Sequence, residues 1–235
     1  MHARDEEDVE PRDVVRGDHD RGPFRARLEG PAPRAEGAPI MIASNHVSWL
    51  DIFLISSVHP ALFVAKSEIR DWPVAGWIVE KAGTLFIRRA RRHDVARINE
   101  AVRSALENGD CVVLFPEGTT TEGDELLKFH SALFEPALSN GARVHPAAIR
   151  YEHPDGSLCR EAAYAGELSF MQSLALILRQ RSIVARIAFA PPIDCAGRDR
   201  RAIAALAREE IASLLDLERP GTAPGTAPGP RDEPR

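Results

Sequence analysis

Six short apolar runs recur through the middle of the chain: "IMIAS" from residue 40, "ALFVA" from 61, "TLFI" from 84, "CVVLF" from 111, "VHPAAI" from 144 and "VARIAFA" from 184. Each is bounded by Gly, Pro or polar residues, too short for a helix and too continuously apolar for a strand with one wet face. Between them lie segments of helical period. The clearest spans about 94–108, with Val95, Ile98, Val102, Ala105 and Leu106 on one face and Gly109 as its stop. Another spans about 199–216, with Ile203, Leu206, Ala207, Ile211 and Leu214 inward. Buried strands alternating with helices predict an α/β fold. "GELSFMQSLALILRQ" reads as a further helix after Gly166, apolar enough to pack in the core or to meet lipid; core packing is the expectation.

The ends of the chain cannot join that pattern. Residues 1–35 are rich in Arg, Asp, Glu and Pro, and 219–235 repeat GTAP, so both are expected to be disordered arms around one domain over 36–218. The charge-dense N-terminus has no apolar core of a signal peptide, and no run of 18 apolar residues is present to cross a bilayer. A net charge of −5 gives no global field toward nucleic acid, so any anion site must be local. The three cysteines, Cys111, Cys159 and Cys195, have no paired or zinc-ligand spacing, which fits a reducing cytoplasm.

Three segments place polar groups where packing alone would put apolar ones. "SNHVSWLD", residues 44–51, sets Asn45, His46 and Asp51 between apolar stretches, where each needs a partner. Were the whole motif helical, five steps of about 100° would leave His46 and Asp51 roughly 140° apart. His46 is therefore expected in the strand-to-helix turn, with Asp51 in the first helical turn reaching back to its ring. A carboxylate on Nδ1 leaves Nε2 free to take a proton, the general-base half of a serine-hydrolase triad. No GxSxG nucleophile accompanies it, and Ser48 is expected to cap the helix. A base without a protein nucleophile suggests that the substrate supplies the attacking hydroxyl. No third ligand stands at metal-binding spacing from His46.

"VLFPEGTTTEG", residues 113–123, reads as a strand running into a binding loop, in which Gly118 permits close backbone approach and its neighbouring N–H groups, with Thr119 and Thr120, could hold an anionic oxygen. Glu117 is an organiser of that loop or a contact to acceptor hydroxyls. "GTLFIRRARR", residues 83–92, carries four arginines; Arg88 and Arg89 leave the strand end directly and suit phosphate. Taken singly, that loop is an ordinary strand-to-helix turn, and Arg91 and Arg92, more than Arg88 and Arg89, are a solvated start to the next helix.

Together, "NHVSWLD", "KSEIRDWPVAGWIVEKAGTLFIRR", "FPEGTTTEG" and "VHPAAIRY" resemble, in order and spacing, the four sequence blocks of the glycerolipid acyltransferase family typified by 1-acyl-sn-glycerol-3-phosphate acyltransferase. The resemblance implies a single-domain fold with a mixed central sheet flanked by helices. It implies acyl transfer from acyl-CoA or acyl carrier protein to the free hydroxyl of a lysolipid, leading to phosphatidic acid, with no bound cofactor and no acyl-enzyme. It also implies roles: His46 as base, Asp51 as its orienter, Arg89 on phosphate, and Glu117 with Gly118 in acceptor binding. Pro146 matches the fourth block. Thr120 stands where the family's third block usually has arginine, and this variant is similar to a subgroup acting on other lysolipids, lyso-ornithine lipid among them. A thioester or phosphoester hydrolase and a non-catalytic lipid-binding protein are the competing classes. The family often has N-terminal membrane helices; here a cytoplasmic protein held peripherally on the membrane surface, through Trp72, Val74 and Trp77, is expected.

Overall fold

In the computed structural model the described residues are 24–34, 37–66, 84–87 and 94–217. All six apolar runs are strands: β2 (Ile40–Ser44), β3 (Leu62–Lys66), β4 (Thr84–Ile87), β5 (Val112–Leu114), β6 (Arg143–Glu152) and β7 (Ile183–Phe189). A seventh, β1 (Phe24–Glu29), precedes them, and the sheet order is β1-β7-β6-β2-β5-β3-β4. Strand pairs are parallel except β6 with β7, so the sheet is mixed.

The continuous apolar runs have a direct cause: both faces of the sheet are covered. In β2, Met41 and Ala43 join one core with Val102, Leu106, Ile203 and Ile211, whereas Ile40 and Ile42 join the other with Ile52, Ile55 and Ile187. The first face is closed by α2 (Asp94–Glu107) and α5 (Arg200–Leu214), the second by α1 (Leu50–Val58). A short α3 (Glu135–Ser139) and α4 (Phe170–Leu178) complete the α-helices among the described residues.

Three expectations need correction. Residues 24–29 are not an unstructured arm; "FRARLE" is an edge strand whose charges hid it. Leu28 turns into the core while Glu29 receives a two-pronged bond from Arg186, at 2.9 and 3.0 Å, and Arg186 also reaches Glu152. At its end Gly30 has φ +74°, and a Cβ there would lie 2.2 Å from the Phe189 carbonyl oxygen. Val95, in the first turn of α2, is 38% exposed. Helix α4 is only partly core packing: Ile177 packs against the second core, but Met171 and Leu178 are 67% and 74% exposed.

The topology brings two chain turns together. Strands β2 and β5 are parallel neighbours, so the segments leaving their C-terminal ends emerge side by side, where open α/β sheets form their crevices. One carries His46 and the other Glu117.

Candidate active site

The chain leaves β2 without losing its pairing. Asn45, fully buried, donates from Nδ2 to the Ile149 carbonyl (2.9 Å) and accepts the Ile149 N–H at Oδ1 (2.7 Å), so its amide extends the β2–β6 ladder by one position. That fixes where the backbone turns. His46 follows, and α1 begins four residues later with Asp51 in its first turn, as the spacing predicts.

Asp51 is completely buried, and its two oxygens are fully engaged. Oδ2 accepts from His46 Nδ1 (2.8 Å), Val47 N–H (2.8 Å) and Ser48 N–H (3.1 Å), and Oδ1 accepts from the Tyr151 hydroxyl (2.8 Å). The helix has no side-chain N-cap: Trp49 stands at the N-cap position, Asp51 binds the N–H groups of the turn before it, and the buried Ser48 hydroxyl has no hydrogen-bond partner among the described residues. With a carboxylate oxygen facing it, Nδ1 carries the imidazole proton and Nε2 presents its lone pair. The Phe115 ring stacks on the imidazole at 3.9 Å and 13°, fixing its plane while the side chain stays 22% exposed.

The second turn braces the first. Glu117, 4% exposed, accepts His46 N–H at Oε1 (2.9 Å) and Leu127 N–H at Oε2 (2.8 Å). This is the organiser geometry of the two readings. Burial raises its pKa, opposed by those two N–H bonds. The Thr121 N–H donates to the His46 carbonyl (2.9 Å), and the Tyr164 N–H to that of Val47 (2.8 Å), so both sides of the histidine turn are held by main-chain bonds.

Gly118 lies beside the dyad at φ +74°, with the His130 ring 3.3 Å from where a Cβ would be. Its own N–H donates to the Phe115 carbonyl (3.1 Å). Thr119 is exposed. The Thr120 hydroxyl donates to the Tyr164 carbonyl and thus ties the loop to the neighbouring segment. Arg88 and Arg89, like Trp72, Val74 and Trp77, lie outside the described residues.

Tyr151, Phe115 and Asn45 are parts of the site whose roles the sequence did not reveal. Tyr151 was inside the fourth quoted block, and its period-two position in β6, in step with Ala147 and Ile149, puts it on the face toward α1. Its ionisation is pushed far upward, by burial first and then by the Asp51 charge, so it stays a donor. Pro146 sits in β6 between the Val144–Ile193 bridge and the start of the β7 ladder at Ala147. Elsewhere, His153, Cys159 and Glu161 bring potential ligand atoms within 4.8 Å of one another. There Glu161 pairs with His153 (3.4 Å) and accepts from the Cys159 thiol (3.6 Å), and the dyad shares none of these atoms. All three cysteines are buried free thiols.

Chemically, the dyad can hold an imidazole in one tautomer and one plane, ready to take a proton from a hydroxyl brought to Nε2. The Acyltransferase family model matches residues 25–150. The chain is 40% identical over 189 residues to the lyso-ornithine lipid O-acyltransferase of Pseudomonas aeruginosa, covering 80% of this chain and 71% of that one. It is 39% identical over 186 residues to the 1-acyl-sn-glycerol-3-phosphate acyltransferase of Neisseria meningitidis, covering 79% and 72%. The fold is similar to that of the 1-acyl-sn-glycerophosphate acyltransferase of Thermotoga maritima, with TM-score 0.56 at 19% identity over 81% of this chain and 70% of that one. The family match and the extended similarity to these relatives converge, and the chain belongs to the acyltransferase family.

Proposed function

We propose that the protein is a lysolipid O-acyltransferase that uses acyl-CoA or acyl carrier protein as donor and works at the membrane surface. The observation that carries the reading is the buried Asp51 carboxylate on Nδ1 of a partly exposed His46, with no nucleophilic side chain among the described residues bonded to the ring. In this mechanism Nε2 takes the proton of the acceptor hydroxyl as its oxygen attacks the thioester carbonyl carbon. The tetrahedral intermediate collapses with loss of the thiolate, and the imidazolium returns its proton to that sulfur. Asp51 stabilises the imidazolium, and Tyr151, Val47 N–H and Ser48 N–H hold Asp51 in place. Arg88 and Arg89 bind the acceptor phosphate in this reading, and Thr119 and Thr120 line the acceptor loop beside Gly118 and Glu117.

The leading acceptor is 1-acyl-sn-glycerol-3-phosphate. One observation favours lyso-ornithine lipid instead: position 120 offers a hydroxyl already donated to the Tyr164 carbonyl, not a cation for a second phosphate oxygen. Assay of the purified protein against both lysolipids, with each donor, tests the proposal. Acceptor-dependent thiol release with acylated product supports it. Thioester loss at the same rate without lysolipid would instead make the protein a hydrolase, and no turnover with any pair would favour the lipid-binding class. Thr120→Arg is expected to raise kcat/KM for lysophosphatidate relative to lyso-ornithine lipid, and an unchanged ratio would remove residue 120 from headgroup selection.

A further inference from the structure

Helix α4 is apolar on both faces: Ile177 packs against the second core, yet a second apolar stripe faces outward. Ser173, in its middle, is fully buried, while Met171, Ala175 and Leu178 are exposed at positions that follow i, i+4 and i+7 along one stripe. The inner face is fixed locally. Trp49, at the N-cap of α1, donates its Nε1–H to Ser173 Oγ (3.2 Å) and its ring meets Phe170 at 5.1 Å, which turns the Met171–Leu178 stripe outward. Phe53 of α1, 40% exposed and edge-on to Trp49 at 6.0 Å, extends the apolar patch. Arg179 and Arg181 follow the helix directly; both are exposed, and neither forms an ion pair with a described residue.

We infer that α4 and Phe53 form a membrane-docking surface, the apolar stripe entering the headgroup boundary of a bilayer while Arg179 and Arg181 engage anionic lipid phosphates. The inference rests on the acyltransferase reading for its purpose: Trp49 stands three residues after His46, so a bilayer on this surface lies beside the base. Charge selects the occupant. The protein carries −5 overall and is repelled by an anionic surface as a whole, yet this apolar stripe ends in two exposed cations. A second copy is a poorer match, because a helix of 9 residues against its twin buries far less than the roughly 800 Å² per partner of a stable complex.

The test uses the full-length protein and flotation with phosphatidylcholine vesicles, with and without phosphatidylglycerol. Wild type is expected to float with the anionic vesicles and to be released by salt. Met171→Asp/Leu178→Asp, at sites exposed enough to leave folding intact, should lower partitioning by about tenfold or more per side chain. Arg179→Glu/Arg181→Glu should lower it by at least roughly fivefold per arginine, on anionic vesicles alone. An environment-sensitive dye on Met171→Cys, the native thiols being buried, should shift to the blue on vesicle addition. Equal flotation of the double aspartate variant overturns the proposal, as does a dye already in apolar surroundings without lipid, which would mean that another part of the chain covers α4. A change of oligomeric mass between wild type and the double aspartate variant would assign the stripe to a second copy and also overturn it. Transfer to a short-chain, monomeric acceptor should be the same in all these variants. If wild type too fails at that transfer while binding vesicles, the acceptor reading falls and the surface stands.

Discussion

Replacing Tyr151 by Phe removes one atom from the site and isolates what the hydroxyl does. Asp51 Oδ1 has no described partner other than that O–H, at 2.8 Å, and the carboxylate is fully buried. A hydrogen bond to such a charged group contributes about 1.5–3 kcal/mol, and no cavity larger than the lost oxygen is left behind. For a domain of this size that corresponds to a fall in Tm of roughly 3–12 °C. Part of the same energy keeps the carboxylate turned so that Oδ2 meets Nδ1; loss of about 1.4 kcal/mol of that alignment in the transition state lowers kcat about tenfold. KM for donor and acceptor should be unchanged, because Tyr151 is 1% exposed and buried behind Asp51. Thermal unfolding together with steady-state kinetics of Tyr151→Phe measures both effects. A Tm equal to wild type would refute the hydrogen bond, and a lowered Tm with full kcat would make Tyr151 purely structural.

Glu117 and Gly30 yield three further predictions. Glu117 has its pKa raised by burial, so the folded state holds its proton more tightly than the unfolded chain. Stability from this group is present below pH 4.5 and is lost as pH rises through the elevated value; Glu117→Gln should flatten the corresponding slope of Tm against pH, and an unchanged slope would contradict the burial argument. The same variant sets an NH₂ against one of two backbone donors and should cost about 1–3 kcal/mol near neutral pH by denaturant unfolding. Gly30→Ala would drive a methyl to 2.2 Å from the Phe189 carbonyl at a positive φ, and should destabilise the β1 edge by at least about 1 kcal/mol; a stability equal to wild type would show that this turn relaxes freely.

The interior of the sheet was legible because burial on both faces leaves an uninterrupted apolar run, and β2 to β7 all carry one. Strand β1 was not, since an edge strand needs charge on its open side, and Arg25, Arg27 and Glu29 resemble a polar arm until Arg186 is seen across from them. The dyad was legible from spacing, as a histidine and a carboxylate five apart across a strand-to-helix turn have few other ways to be satisfied. Tyr151 was harder: its partner lies 100 residues away in sequence, and nothing local distinguishes a buried tyrosine that donates to a carboxylate from one that simply packs. Helix α4 misled because it is apolar all round and hydrophobicity alone does not say which stripe is inward; the inner one carries Ile177 and Ser173, the latter held by Trp49. The Glu117 reading stayed divided in sequence because both uses of the carboxylate need the same loop, and the pair of backbone donors that occupies it belongs to tertiary structure.

The central claim is that His46 is the base and Asp51 fixes its tautomer. Its most direct measurement is the rate of acceptor-dependent acyl transfer by folded His46→Ala, with Asp51→Asn alongside and folding verified by circular dichroism and Tm. His46→Ala should lose several orders of magnitude in kcat, since proton transfer and alignment of the hydroxyl go together. Asp51→Asn should be similarly poor, because its amide N–H₂ opposite Nδ1 favours the tautomer with a protonated Nε2. Transfer by a folded His46→Ala protein within about tenfold of wild type would contradict the mechanism outright.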